Sequence, residues 1–356
     1  MGRKDSAKYH KSLNQQLYDM LEGMKQFGKS RNFLKKLGLE DKVITSISTY
    51  RTYHEIGKRF ISFVQLKHPE ETSLKKTAKY VPEYMALRIE LYKEGKISAY
   101  TIKTEASALH KIFQIKPESS LFVHCPKADR TEIKRSRTAI GGSGNPFVDL
   151  MCRSTGLRGM KELEQLKGGC LYTIDDLRVM LSDYEDKLSS EGSFNREDHN
   201  QLNALKAATE HFPDFEFFVE VEKGKGGRVR FAPLCADKKD ISIIVEKLAS
   251  VPMGTRVFAG VSHEMIKNAN THAMRAEYAA RIYHRYALLP KELEQLPKDK
   301  HCNGLGGFDY CSRRYVCRGN KSGLVFDRHA LGQTAVALGH SYDRVLDVVN
   351  SYSYRF

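Results

Sequence analysis

Apolar residues recur at helical spacing near the start of the chain. Over residues 10–37 this spacing predicts one or two helices that share an apolar face. The residues of that face are Leu13, Leu17, Met20, Leu21 and Met24. A helix with one apolar face needs neighbours to bury it, so we expect further helices close by.

Three more helical stretches follow before residue 116. Ser46 and Ser98 each precede an apolar-periodic stretch and have the side chain of a helix N-cap. Between them, a helical pattern runs from about Leu74 to Lys93 and is interrupted near Pro82. The buried side of the last helix is predicted to carry Ile102, Ala106, Leu109, Ile112 and Phe113.

The pattern changes after residue 115. Residues 116–145 contain two prolines, three glycines and a short basic run, which is typical of a linker. Asn145 and Pro146 then mark the start of a new helix. Residues 215–234 alternate aromatic and β-branched positions around a glycine-rich turn, which predicts a β-hairpin.

These elements predict a mainly α fold with a small β-sheet. We divide the chain into a basic helical arm over 1–42, a helical domain over 43–115, a linker over 116–145 and a mixed α/β domain over 146–356. A length of 356 residues is sufficient for two domains with separate cores.

Positive charge is concentrated in the first part of the chain. Residues 1–140 contain 28 Lys and Arg against 15 Asp and Glu, whereas residues 141–356 contain 30 against 28. Because the excess is spread over helical patterns that also carry Tyr and Phe, it favours a nucleic acid over a membrane as the partner. A charge that serves only solubility is the alternative.

Other classes of protein are disfavoured by what the sequence lacks. It has no run of 18 apolar residues, which predicts no membrane partner. Seven cysteines without CxxC spacing favour a reducing compartment, so we expect a cytoplasmic protein. There is no phosphate-binding loop of the nucleoside triphosphatases.

Five short segments carry residues suited to chemistry on a phosphate. They are Thr155-Gly-Leu-Arg158, Lys223-Gly-Lys225-Gly-Gly, His272-Ala-Met-Arg275, Leu338-Gly-His340 and Asn350-Ser-Tyr352. Each segment alone is compatible with an ordinary structural role on a surface or in a core. Their order along one basic chain is the informative feature.

In that order the segments resemble the motifs of the tyrosine recombinase (phage integrase) family. The resemblance covers about residues 145–356 and implies that residues 43–115 are a helical core-binding domain, followed by the family's mixed α/β catalytic domain. It identifies Arg158, Lys225, His272, Arg275, His340 and Tyr352 as the expected catalytic residues. It also implies site-specific recombination of double-stranded DNA without any cofactor or metal.

The roles that the resemblance implies agree with the chemistry of these side chains. Arg158 and Arg275 offer planar pairs of N–H donors to the oxygens of a phosphodiester. His340 is expected to donate to the same phosphate, and His272 lies one helical turn before Arg275. Tyr352 is the expected nucleophile, which would form a 3′-phosphotyrosine intermediate.

The remaining expected role is proton donation to the leaving 5′ oxygen. Lys225, at the tip of the predicted hairpin, is suited to it. An acidic residue often supports the first arginine in the family, and Glu162 is the expected match.

The chain also departs from the family pattern. A helical segment within 171–212 and the stretch 284–325 are expected insertions, and His340 is 12 residues before Tyr352, about two more than usual. Tyr354 and Tyr342 are alternative nucleophiles. The second insertion contains His301, Cys302, Cys311 and Cys317, for which buried free cysteines are favoured over a zinc site.

Two other functions remain open. A type IB topoisomerase uses nearly the same chemistry, and a catalytically silent DNA-binding regulator could share the fold. The resemblance implies a homotetramer on paired DNA sites, with an accessory DNA-bending or excision factor as a further partner.

Overall fold

The computed structural model describes residues 11–29, 31–115, 126, 141–191, 195–222, 224, 228–262, 264, 266, 269–296, 313–317 and 321–356. The chain forms two compact units, Met1–Lys134 and Arg135–Phe356. It is mostly helical with small antiparallel sheets, so the predicted mainly α fold with a small β-sheet is confirmed at this level. None of the described helices is long and apolar enough to cross a membrane.

The first unit contains six α-helices among the described residues. They are α1 (Leu13–Gly23), α2 (Arg31–Lys36), α3 (Ile47–Lys67), α4 (Leu74–Thr77), α5 (Val81–Lys93) and α6 (Ala99–Phe113). The side chains of Ser46 and Ser98 accept hydrogen bonds from the backbone N–H groups of Thr49 and Thr101, which confirms both predicted N-caps. A short 3-10 turn, Ala78–Tyr80, separates α4 from α5 just before Pro82.

Helix α1 belongs to the same core as α3 and α6. Leu17 is buried against α3 at Gly57, where a Cβ atom would lie 2.6 Å from the Leu17 side chain. Residues 1–42 and 43–115 therefore fall within one compact unit, and the division between units lies inside the predicted linker, at Lys134.

A buried ion pair ties α5 to α6 in this core. The Glu105 side chain is fully buried and accepts hydrogen bonds from Arg88 Nε at 2.7 Å and Arg88 Nη2 at 3.0 Å. Two parallel bonds to one carboxylate fix the geometry as well as the charge balance.

The second unit begins with α7 (Pro146–Thr155), which Asn145 caps through its side chain as predicted. The helices and strands that follow are α8 (Met160–Leu163), β1 (Leu171–Thr173), α9 (Ile174–Glu191), α10 (Arg196–His211), β2 (Phe217–Val221), β3 (Arg230–Pro233), α11 (Lys238–Ala249), α12 (Thr271–Tyr286), α13 (Pro290–Gln295), β4 (Arg314–Val316), β5 (Val325–Asp327), α14 (Arg328–Ala337) and α15 (Val345–Tyr352).

A three-stranded antiparallel sheet divides the core of this unit into two layers. Its order is β1-β2-β3, and β2 pairs with β3 as the predicted hairpin. Phe218 and Phe231 face one helical layer, whereas Val219 and Val221 face the other. Both faces of the sheet are covered, so the functional residues must lie at its edges and in the flanking turns.

The first expected insertion is a helical hairpin between two strands. Helices α9 and α10 connect β1 to β2 and pack against each other, and α10 also packs against β3. The second expected insertion includes α13 and β4 and ends where β5 begins. Much of that insertion, including His301, Cys302 and Cys311, lies outside the described residues.

Candidate functional site

A glycine turn after α7 positions the first arginine segment. Gly156 has φ +64°, a conformation that side chains disfavour, and a Cβ atom there would lie 2.4 Å from the Tyr278 ring. Glycine is thus required both for the turn and for the packing of α12. Its carbonyl oxygen points to the site, where it accepts hydrogen bonds from Arg230 Nη2 and Arg275 Nη1.

Arg158 follows this turn and faces the segment that carries His340. Its Nη2 atom lies 3.2 Å from the Leu338 carbonyl oxygen and 3.4 Å from His340 Nε2. Burial, the largest cause, lowers the pKa of the Arg158 guanidinium, and Glu162 opposes that shift. The side chain remains cationic at neutral pH.

Arg275 lies on α12 and is 2% exposed. Its Nε atom donates to the Tyr352 hydroxyl oxygen at 3.0 Å, and its two terminal nitrogens donate to the carbonyls of Gly156 and Leu338. Burial lowers the pKa of Arg275 to about 10, so the group stays charged at pH 7. A buried cation that donates to neutral oxygens keeps its full charge, so it attracts an anion strongly.

Tyr352 ends α15, where the predicted apolar stripe holds it. Val345, Val348 and Val349 are buried against the core, and Tyr352 itself is 7% exposed. The His272 ring stacks on the Tyr352 ring, with centroids 5.3 Å apart and planes 19° apart. Packing of the apolar helix face on the core and stacking of the His272 ring therefore fix the position of the Tyr352 hydroxyl group.

The two alternative tyrosines have other surroundings. The Tyr342 hydroxyl lies 2.9 Å from His329 Nδ1, and the Tyr342 ring stacks on His211. Tyr354 packs against the apolar core, and Arg355 lies over its ring. Of the three hydroxyl groups, that of Tyr352 is the one that accepts a hydrogen bond from Arg275.

His340 lies in the turn between α14 and α15. Burial, followed by the positive charges of Arg158 and Arg275, lowers its pKa to about 4. The ring is therefore neutral at pH 7, and because a guanidinium only donates, Nε2 is the acceptor and Nδ1 carries the proton. In the absence of an anion His340 Nε2 thus accepts from Arg158, and the expected donation from His340 to a phosphate stays a prediction.

The shifted pKa of His340 predicts a pH dependence of stability. Between about pH 6.5 and pH 4 the unfolded chain binds the proton and the folded chain does not, so the free energy of unfolding falls as the pH falls. The contribution is up to about 3 kcal/mol. Urea unfolding from pH 7 to pH 4 should give a steeper loss for the wild type than for His340→Gln. Equal slopes for the two proteins would contradict this assignment.

The structure also brings two residues into the site that strengthen its framework. Glu162, the expected supporting acid, is buried, and its Oε2 atom accepts from the Arg158 backbone N–H at 2.9 Å and from Arg230 Nη2 at 3.2 Å. Arg230 is 7% exposed and also donates to the carbonyls of Thr155 and Ala337. These bonds lock the Gly156 turn to the end of α14.

Sequence reasoning did not identify Arg230 as a site residue. It lies in the same segment as Lys225, but an arginine beside a glycine-rich turn is usually solvated. The signal available in the sequence was its place on a strand between Val229 and Phe231, a pattern that is apolar on both sides. Lys225 itself lies outside the described residues.

The described residues bring together five of the six expected site residues: Arg158, His272, Arg275, His340 and Tyr352. They come from the α7–α8 turn, α12, the α14–α15 turn and α15. Among the described residues no group of three His, Cys, Asp or Glu side chains could hold a metal ion. Cys317, the described cysteine of the second insertion, is buried and free.

Comparison with known proteins gives no relative. No protein-family model, curated protein or solved structure matches the chain. The geometry of the site and the order of its segments are therefore the basis for assigning a function.

Proposed function

We propose that the chain is a tyrosine-type site-specific DNA recombinase. The observation that carries the proposal is the 3.0 Å contact between Arg275 Nε and the Tyr352 hydroxyl oxygen, beside Arg158 and His340. A tyrosine held by packing next to two guanidiniums suits attack on a phosphodiester, because the cations stabilise the negative charge that develops on the phosphate oxygens.

The arginines retain donors for a phosphate. Each terminal nitrogen of a guanidinium carries two hydrogens, and the carbonyls of Gly156 and Leu338 each take one from Arg275. Arg158 Nη2 donates to the Leu338 carbonyl as well. A phosphate between the two side chains would accept the remaining hydrogens and bring a negative charge to a cationic site.

The reaction proceeds by two balanced transfers. In the first, the Tyr352 oxygen forms a bond to phosphorus, the bond from phosphorus to the 5′ oxygen breaks, and the strand is left as a 3′-phosphotyrosine. The tyrosine proton passes to a nearby base, for which His272, stacked on the Tyr352 ring, and His340 are candidates. The 5′ oxygen takes up a proton, for which Lys225 is the donor that the family resemblance implies.

The second transfer is the reverse of the first with a different strand. The 5′-hydroxyl of an incoming strand attacks phosphorus, and Tyr352 leaves with a proton. The number of phosphodiester bonds is unchanged, so no nucleoside triphosphate is consumed. Recombination of two duplexes in this way requires several protomers, and we propose a homotetramer on paired sites, assisted by an accessory DNA-bending or excision factor.

The charge distribution supports double-stranded DNA as the substrate. Most of the net charge of +15 is carried by residues 1–140, as expected for a unit that binds the phosphate backbone through many weak contacts. The second unit is near neutral, with 30 Lys and Arg against 28 Asp and Glu over residues 141–356, so its fold does not depend on binding a polyanion over its whole surface.

A covalent trapping experiment tests the proposal. Short duplexes with a randomised segment, nicked near its middle, are incubated with the full-length protein, and DNA that stays attached after denaturation is recovered. We expect a protein–DNA adduct that forms equally well in EDTA, because guanidiniums rather than a metal supply the positive charge. An adduct that required magnesium would contradict this mechanism.

The same preparations separate the alternative functions. Relaxation of supercoiled plasmid without exchange between two DNA sites would indicate a topoisomerase. Duplex binding without any adduct would indicate a DNA-binding regulator.

A further inference from the structure

A groove of about 410 Å³ lies directly beside His340 in the second unit. One side is formed by α10, and the other by β3 and the turn over residues 339–341. Its volume lies within the range of about 300–1,000 Å³ that is typical of sites for small organic groups. His340 belongs both to this groove and to the candidate site, so the two are continuous.

The inner surface of the groove combines an apolar floor with polar edges. Ala204, Ala207 and Val336 contribute to the floor. Asn200 and Asn203 extend from α10 along one edge, three residues apart and hence on the same face of the helix. Exposed Arg228 adds a positive charge at the rim.

Helix α10 is held firmly in this position. Gln201 donates to Glu220 of β2 at 3.3 Å, and the helix packs on α9 and β3. Its N-cap Asn195 accepts hydrogen bonds from the backbone N–H groups of Glu197 and Asp198. The two asparagines thus present their amides from a rigid element, as a site that discriminates between ligands requires.

We infer that this groove receives the nucleotide next to the cleaved phosphate and that Asn200 and Asn203 read its base. This inference rests on the proposed function and adds a specificity determinant to it. Because His340 both lines the groove and contacts Arg158, a strand whose phosphate is held between Arg158 and Arg275 would place its next nucleotide at the groove. The apolar floor excludes water from the base edge, and Arg228 suits the next phosphate.

The chemistry of the edge indicates which base fits. An asparagine amide offers one acceptor and one donor side by side, which matches the N6 and N7 atoms of adenine. We therefore expect adenine to be preferred at this position. Loss of such a contact should reduce the preference by a factor on the order of ten.

Sequencing of the trapped strands tests the inference. The randomised nicked duplexes are incubated with the wild type, Asn200→Ala and Asn203→Ala, and the strands that stay covalently attached are sequenced beside the attachment point. We expect the wild type to select adenine at the adjacent nucleotide, and each variant to reduce that selection while it leaves more distant positions unchanged.

Two further variants separate the groove from general effects on the helix. Ala207→Leu fills the groove without removing a polar group, and we expect it to lower the adduct yield while duplex binding persists. Lys206→Ala removes a positive charge from the face of α10 that is turned to α9, and we expect it to change neither the yield nor the base preference.

The outcomes distinguish the inference from the proposal on which it rests. The inference would be overturned, and the proposed function left intact, by the following combination of results. The wild type forms an adduct, Asn200→Ala and Asn203→Ala keep the base preference of the wild type, and Ala207→Leu gives a normal yield. Absence of any adduct from the wild type would overturn both.

Discussion

Tyr352→Phe is expected to bind duplex DNA with unchanged affinity and to form no covalent adduct. The substitution removes the hydroxyl group and retains the ring that packs on Val345, Val348 and Val349 and stacks on His272. The lost contact with Arg275 is one hydrogen bond, which contributes about 1 kcal/mol to stability. Denaturing gels of the trapping reaction, beside a binding assay with the same duplexes, measure both properties.

Matched controls for this prediction are Tyr354→Phe and Tyr342→Phe. Each also removes one hydroxyl group, but neither of these hydroxyls is the one that Arg275 contacts. Both variants should retain adduct formation. An adduct from Tyr352→Phe together with its loss in Tyr354→Phe or Tyr342→Phe would reassign the nucleophile and leave the class of reaction intact.

Arg275→Lys should reduce the rate of adduct formation by about 10²- to 10³-fold, the usual effect of removing a donor that stabilises a transition state. Lysine preserves the charge but cannot donate at once to Tyr352, Gly156 and Leu338, because it has no planar arrangement of nitrogens. Single-turnover rates of adduct formation, measured at saturating protein, provide the comparison.

Arg285→Lys is the control for this second prediction. Arg285 lies on the same helix, α12, is half-exposed and pairs with Asp214 at 2.7 Å. Its replacement should leave the rate unchanged. If Arg275→Lys formed adduct as fast as Arg285→Lys, Arg275 would be a structural cation only. A lower melting temperature of Arg275→Lys would not account for a slower rate at temperatures where both variants are folded.

Features determined by a few neighbouring residues could be predicted from the sequence. The N-caps at Ser46 and Ser98, the helix start at Asn145 and the hairpin between Phe217 and Pro233 all depend on local chemistry. The packing of Tyr352 at the end of an apolar helix face also followed from periodicity. These predictions succeed because the interactions that decide them lie within a few residues.

The spatial arrangement of the site residues was harder to predict from the sequence. Arg158 and Arg275 are 117 positions apart, and the order of known family motifs, rather than any local pattern, suggested that they would meet. The burial of Arg230 depends on three carbonyls and one carboxylate from other segments. The low pKa of His340 depends on burial first, and then on the charges of two arginines from other segments. Tertiary structure decides each of these features.

The excess of positive charge around the Gly156 turn disfavours folding, although the proposed activity requires it. Among the described residues, the hydrogen bonds and ion pairs of Arg158, Arg230 and Arg275 reach one carboxylate, that of Glu162. Burial first, and then the charges of Arg230 and Arg158, lower the pKa of Arg275, and an anion at the site would offset this repulsion. These arginines also hold the Gly156 turn to the end of α14, so the free protein keeps them despite the repulsion between their charges. Under the proposed function, DNA is expected to act as a stabilising ligand for the fold and to raise its melting temperature.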